Sequence, residues 1–142
     1  MQTKRARPQA LREMKPENSS LKTVAILGAS CSRHKFGNKA VRAFLRQGYE
    51  VFPVNPESET IEGRRVFKTI GDVPVRPQMV SVYLPPEVLF GVLPEIAARS
   101  CDELWLNPGT ESDAVLAEAE RLGLNTIQAC CILAAGLDPS VL

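Results

Sequence analysis

A glycine followed by small hydroxyl residues and two cations, between an apolar run and an amphipathic stretch, suits a phosphate group. Residues 28–38 read Gly28-Ala29-Ser30-Cys31-Ser32-Arg33-His34-Lys35-Phe36-Gly37-Asn38. Glycine directly after a strand lets the backbone turn tightly and leaves amides pointing outward. A helix starting near Gly37 adds free N–H groups and the positive end of its dipole, an arrangement suited to a diphosphate. Ser30 and Ser32 can donate to phosphate oxygens, and Arg33 and Lys35 can neutralise them. The same residues would also serve a plain strand-to-helix loop whose glycine is needed only for the turn; the basic cluster around them favours the phosphate.

Other phosphate and metal chemistries find less support. A dinucleotide fingerprint would place glycine at Ser30 and Arg33, and it would place an Asp or Glu at the end of the second strand for the ribose hydroxyls. That place holds Val54-Asn55-Pro56, with Glu57 beyond the proline, so NAD is disfavoured. No Walker pattern is present. His34 is the one histidine and the four cysteines form no CxxC, so no zinc site is expected. His34 has no triad partner in the sequence, and a Tyr-x-x-x-Lys catalytic pair is absent.

The elements that must position the loop follow from apolar patterning. Residues 23–27 form a continuous apolar run closed by Gly28, as in a strand buried on both faces. Residues 37–47 carry Ala40, Val41, Phe44 and Leu45 at helical spacing, with Gly48 as the stop. Residues 50–54 are a second strand ended by Asn55-Pro56. A loop with Gly63 and Arg64-Arg65 follows, then a short turn over 69–73. Residues 79–84 are a third strand stopped by Pro85-Pro86. A helix is expected over 86–99, with Pro94 kinking or restarting it. Residues 103–106 are strand four. Thr110 and Asp113 resemble a capping box for a helix over 111–122, and residues 124–129 are strand five. Alternating strands and helices imply an α/β, Rossmann-like three-layer sandwich. Its five-stranded parallel sheet is expected in the order 3-2-1-4-5, with the ligand crevice at the carboxyl ends of the strands.

The 142 residues are 44% hydrophobic and 23% charged, with net charge +1, which fits one globular domain and excludes a disordered body. No apolar run approaches the ~20 residues of a membrane-spanning helix. The basic N-terminus is not followed by an apolar stretch, so no secretory signal is expected. Residues 1–20 read as a basic, flexible tail, and residues 21–142 as the domain. Residues 18–76 hold ten basic and five acidic side chains, whereas 77–142 hold two basic and nine acidic. An anionic ligand should therefore sit in the N-terminal half. Free thiols without a framework spacing point to the cytoplasm.

Three stretches in order resemble a known family. Val24-Ala25-Ile26-Leu27-Gly28-Ala29-Ser30, then Gly48-Tyr49-Glu50-Val51-Phe52-Pro53-Val54-Asn55-Pro56, then Trp105-Leu106-Asn107-Pro108-Gly109 are similar to the CoA-binding domain family. Those are small Rossmann-like proteins similar to the N-terminal domain of the succinyl-CoA ligase alpha subunit. The resemblance covers residues 22–135 and implies coenzyme A or an acyl-CoA as ligand. It implies that the turn at Gly28, Ala29 and Ser30, with the start of the next helix through Phe36, Gly37 and Asn38, holds the diphosphate. Arg33 and Lys35 would be its charge partners, with one of them or Arg64 reaching the 3′-phosphate. Val54, Asn55 and Pro56 would border the adenosine end. Leu84, Pro85, Asn107, Pro108 and Gly109 would line the remaining cleft, including the pantetheine arm. Many relatives end strand three in Phe-Arg, where this chain has Tyr83-Leu84, so one phosphate contact is lost.

The resulting expectation is a CoA-binding protein without catalysis of its own, with no metal, membrane or nucleic-acid partner. A homodimer or a partner subunit remains open. The alternatives are a nucleotide-dependent oxidoreductase or transferase, and an interaction module that docks on a partner protein. Cys31, beside the phosphate loop, is a candidate reactive thiol and is counted with the site. Trp105, Cys130 and Cys131 read more simply as core, and Tyr83 and Asn107 as either site or cap.

Overall fold

The computed structural model describes residues 21–142; the basic tail expected over 1–20 lies outside the described residues. The chain runs β1 (Thr23–Leu27), α1 (Phe36–Arg46), β2 (Glu50–Val54), β3 (Thr60–Ile61), β4 (Arg64–Arg65), β5 (Met79–Val82), α2 (Pro86–Arg99), β6 (Glu103–Leu106), α3 (Asp113–Arg121), β7 (Thr126–Gln128) and α4 (Cys131–Ala134). β1, β2, β5, β6 and β7 form one parallel sheet. Both faces are covered, which is why β1 is apolar from Val24 to Leu27: Val24 and Ile26 pack toward α1, and Ala25 and Leu27 toward α2. The fold is the expected Rossmann-like α/β sandwich.

The strand order differs from the expected 3-2-1-4-5. The sheet runs β2-β1-β5-β6-β7, so the third long strand, β5, lies beside β1 rather than outside β2. The cause is the face on which the β2–β5 connection packs. Its residues Ile70 and Val73 join Leu89, Leu93 and Ile96 of α2, on the face opposite α1. Parallel crossovers are right-handed, so a connection on the second face must carry the chain back past β1. The topological switch point therefore falls between β1 and β5.

Local expectations are also corrected. Pro94 does not restart α2, which is continuous from Pro86 to Arg99. Pro94 and Phe90 both lie on the exposed side, so water can satisfy the carbonyl that loses its helical partner. The N-cap of α3 is Ser112, whose hydroxyl accepts from Val115 N–H at 3.1 Å. Thr110 is buried and donates instead to the Asn107 carbonyl at 2.8 Å. Residues 60–65, expected as a loop, form a short hairpin, and the fifth strand is shorter than the expected 124–129, with Cys131 opening α4 beyond it.

Candidate ligand cleft at the strand ends

Gly28 closes β1 at the switch point, held on both sides. Its N–H donates to Val54 O at 3.2 Å, and Tyr83 N–H donates to Leu27 O at 2.8 Å. Its φ of +85° is left-handed, and a side chain there would press within 2.7 Å of the Tyr83 carbonyl oxygen. Gly37 is required for a different reason: a Cβ on it would collide with the Gly28 carbonyl. The first turn of α1 thus lies directly on the end of β1.

Two asparagines organise the loop between them. Asn55 donates from Nδ2 to Ala29 O at 2.8 Å, and the fully buried Asn38 donates to Ser30 O at 2.9 Å. Within the loop, Ser32 N–H donates to Ser30 Oγ and Lys35 N–H donates to Ser32 O, both at 3.0 Å. Lys35 is the N-cap of α1, and the helix has neither a capping side chain nor an acid in its first turn. Asn38 N–H bonds the Lys35 carbonyl at 3.1 Å, which leaves the N–H groups of Phe36 and Gly37 available to an anion.

A cleft of ≈ 550 Å³ opens over this loop, lined by Gly28–Ser30, Lys35–Gly37, Asn55, Tyr83–Pro86 and Pro108–Thr110. It shares Gly28, Asn55 and Leu84 with a neighbouring recess of ≈ 330 Å³ whose walls also include Val54, Pro56, Ile70, Val88, Val92 and Glu95. Lys68 also borders the recess and donates to Pro56 O at 3.3 Å. The pair of compartments has a polar, cationic centre with apolar and proline-lined wings.

The residues singled out from the sequence divide into distinct groups. Gly28, Ala29, Ser30, Lys35, Phe36, Gly37, Asn55, Leu84, Pro85, Pro108 and Gly109 meet at the cleft, and Val54 and Pro56 border the recess. Arg33 does not line either compartment; it pairs with Glu62 at 3.3 Å. Cys31 Sγ faces Thr60 O at 3.5 Å and Ser58 Oγ at 3.7 Å. Arg64 and Arg65 lie by Tyr49 and Phe52 along the outer edge of β2. Lys68 was not signalled, because nothing in its local sequence marks the recess.

Asn107 and Asn38 are internal fasteners. Asn107, 1% exposed, donates to Ser81 Oγ at 3.0 Å and Val82 O at 2.9 Å, and accepts from Cys131 N–H at 2.9 Å. It ties β6, β5 and α4 together beneath the cleft. Asn107→Leu should destabilise the fold by about 1–3 kcal/mol, because it strands buried partners. Urea unfolding checks this; an unchanged midpoint would contradict the role.

No assembled catalytic set is present among the described residues. Cys131 lies 2.7 Å from Ser81 Oγ and 3.2 Å from Tyr83 OH, but burial raises the pKa of both Cys131 and Tyr83. Both are therefore kept protonated. Ser32 Oγ and His34 Nδ1 approach to 3.4 Å at the exposed surface, outside the cleft and without a third group to orient the ring. Among the described residues there is no cluster of metal-ligating side chains and no helix long and apolar enough to cross a membrane.

Comparison with known families finds a match to the CoA binding domain over residues 22–136. The chain belongs to that family. It is 24% identical over 111 residues to the uncharacterized protein YneT of Bacillus subtilis, a match spanning 78% of this chain and 82% of that protein. A conserved hypothetical protein of Pyrococcus furiosus shares the fold with TM-score 0.74 and 28% identity, over 80% of this chain and 99% of that one. The dinucleotide-forming acetyl-coenzyme A synthetase 1 of Ca. Korarchaeum cryptofilum shares it with TM-score 0.68 and 20% identity. There the match spans 76% of this chain but 25% of the synthetase, so the CoA binding domain family fold also occurs as one part of a longer chain.

Proposed function

We propose that this protein binds coenzyme A or an acyl-CoA and performs no chemistry on it by itself. The observation that carries this reading is the uncapped start of α1 beside the Gly28–Ser30 turn, with Lys35 at the mouth of the cleft. The diphosphate would rest on those amides. The adenosine end would enter the recess between Val54, Pro56 and Val88, which places its 3′-phosphate near Lys68. Pantetheine is uncharged and suits the edges at Leu84–Pro86 and Pro108–Gly109. NAD fits less well, because β2 ends in Val54-Asn55-Pro56 and Glu57 is exposed beyond them. Free cysteines suit a reducing compartment, hence a cytoplasmic protein.

The test contrasts two cations of the same loop. Lys35→Glu should weaken CoA binding by roughly ten-fold or more, the scale of a charge-assisted contact. Arg33→Glu should have a smaller effect, because Arg33 is engaged with Glu62 and lies outside the cleft. Isothermal calorimetry on both variants decides it. Unchanged affinity in Lys35→Glu would remove the diphosphate from this loop.

A further inference from the structure

Glu62 and Gly63 join β3 to β4 as a tight hairpin in which Ile61 pairs with Arg64. Both are left-handed, with φ of 49° and 76°. A two-residue turn of that kind favours Asn, Asp or Gly at its first position, so a glutamate there holds a strained backbone. Its side chain supplies the reason. Glu62 Oε2 accepts from Asn38 Nδ2 at 3.1 Å and lies 3.3 Å from Arg33 Nε, while Oε1 is 3.4 Å from Arg33 Nη2. Asn38 in turn holds Ser30 O, and Arg42 donates to Asn38 Oδ1 and to the Arg33 carbonyl, both at 2.7 Å. The carboxylate thus closes a set of contacts that ties both ends of the anion-facing loop to a hairpin far away in sequence. The Glu62 side chain is only 23% exposed, and hydrogen bonding from Asn38 holds its carboxyl below the ordinary glutamate range.

We propose that Glu62 is a positioning residue: it holds the Ser30–Asn38 loop in its anion-receiving shape at the expense of local backbone strain. The effect on CoA rests on the proposed function; the ordering of the loop does not. The strain makes the proposal testable, because stability and binding should move apart. In Glu62→Gly the backbone strain is relieved, so the ligand-free melting temperature should stay level or rise. Amide hydrogen exchange across residues 30–38 should nevertheless accelerate several-fold, with the sheet unaffected. CoA affinity should fall by roughly three- to ten-fold as preorganisation is lost. Glu62→Asn, which tolerates the turn but is too short to reach Asn38, should show the same loss and so separates the brace from added glycine flexibility. Unchanged exchange in both variants would overturn the proposal. Tighter CoA binding would also overturn it, since Glu62 would then act as a repelling charge. If the unaltered protein binds no CoA, the functional reading fails, and the exchange measurement alone decides the brace.

Discussion

CoA at a hundred times its dissociation constant is expected to raise the unfolding free energy by about 2.7 kcal/mol, because it binds only the folded state. For a chain of 142 residues that corresponds to a rise of roughly ten degrees in melting temperature. Dephospho-CoA at the same concentration should stabilise less, since it leaves the cation at the rim of the recess, Lys68, without an anion. NAD should do little, because no acid stands at the end of β2 to receive its ribose hydroxyls. A thermal-shift series with the three ligands checks all of this. Equal stabilisation by NAD would move the oxidoreductase reading ahead of CoA binding. No shift with any of them would favour the interaction module.

Gly37→Ala should be the most damaging single-methyl change at the cleft. The added Cβ would be driven into the Gly28 carbonyl, a backbone atom that cannot swing aside as a flexible side chain would. Relief requires moving the first turn of α1 off the end of β1, where Ala29 and Ala40 are fully buried. Overpacking of this kind costs about 1–3 kcal/mol, and backbone involvement puts this site at the upper end. The same displacement spoils the spacing between the Gly28 turn and the helix amides, so CoA affinity should fall with stability. Gly91→Ala is the matched control: it also lies in a helix, and its Cβ would meet nothing within 4 Å. That change should be neutral or mildly stabilising. If both variants melt at the parent temperature, the close approach of α1 to β1 does not constrain the fold.

Much of this was legible in the linear chain. The apolar runs of β1 and β2 require cover on both faces, and their ends at Leu27 and Val54 follow from the glycine and proline just beyond them. The Gly28 turn and the start of α1 were readable because backbone freedom and helix ends leave local signatures. So were the Pro85 and Pro108 edges. What stayed hidden depended on long-range packing. The strand order turned on which face Ile70 and Val73 choose, and an apolar residue in a loop carries no mark of the face it will seek. β3 and β4 pair over only two residues each, too short for any period to show. Arg33 and Lys35 are two cations in one loop, indistinguishable by local sequence. The fold separates them by bringing a carboxylate from 29 residues away onto Arg33 and leaving Lys35 at the cleft. The sequence by itself determined the layers, the loop and its charge; tertiary structure decided which charges face the ligand. A side chain's chemistry is local, but whether it is neutralised depends on partners that only the folded chain brings near.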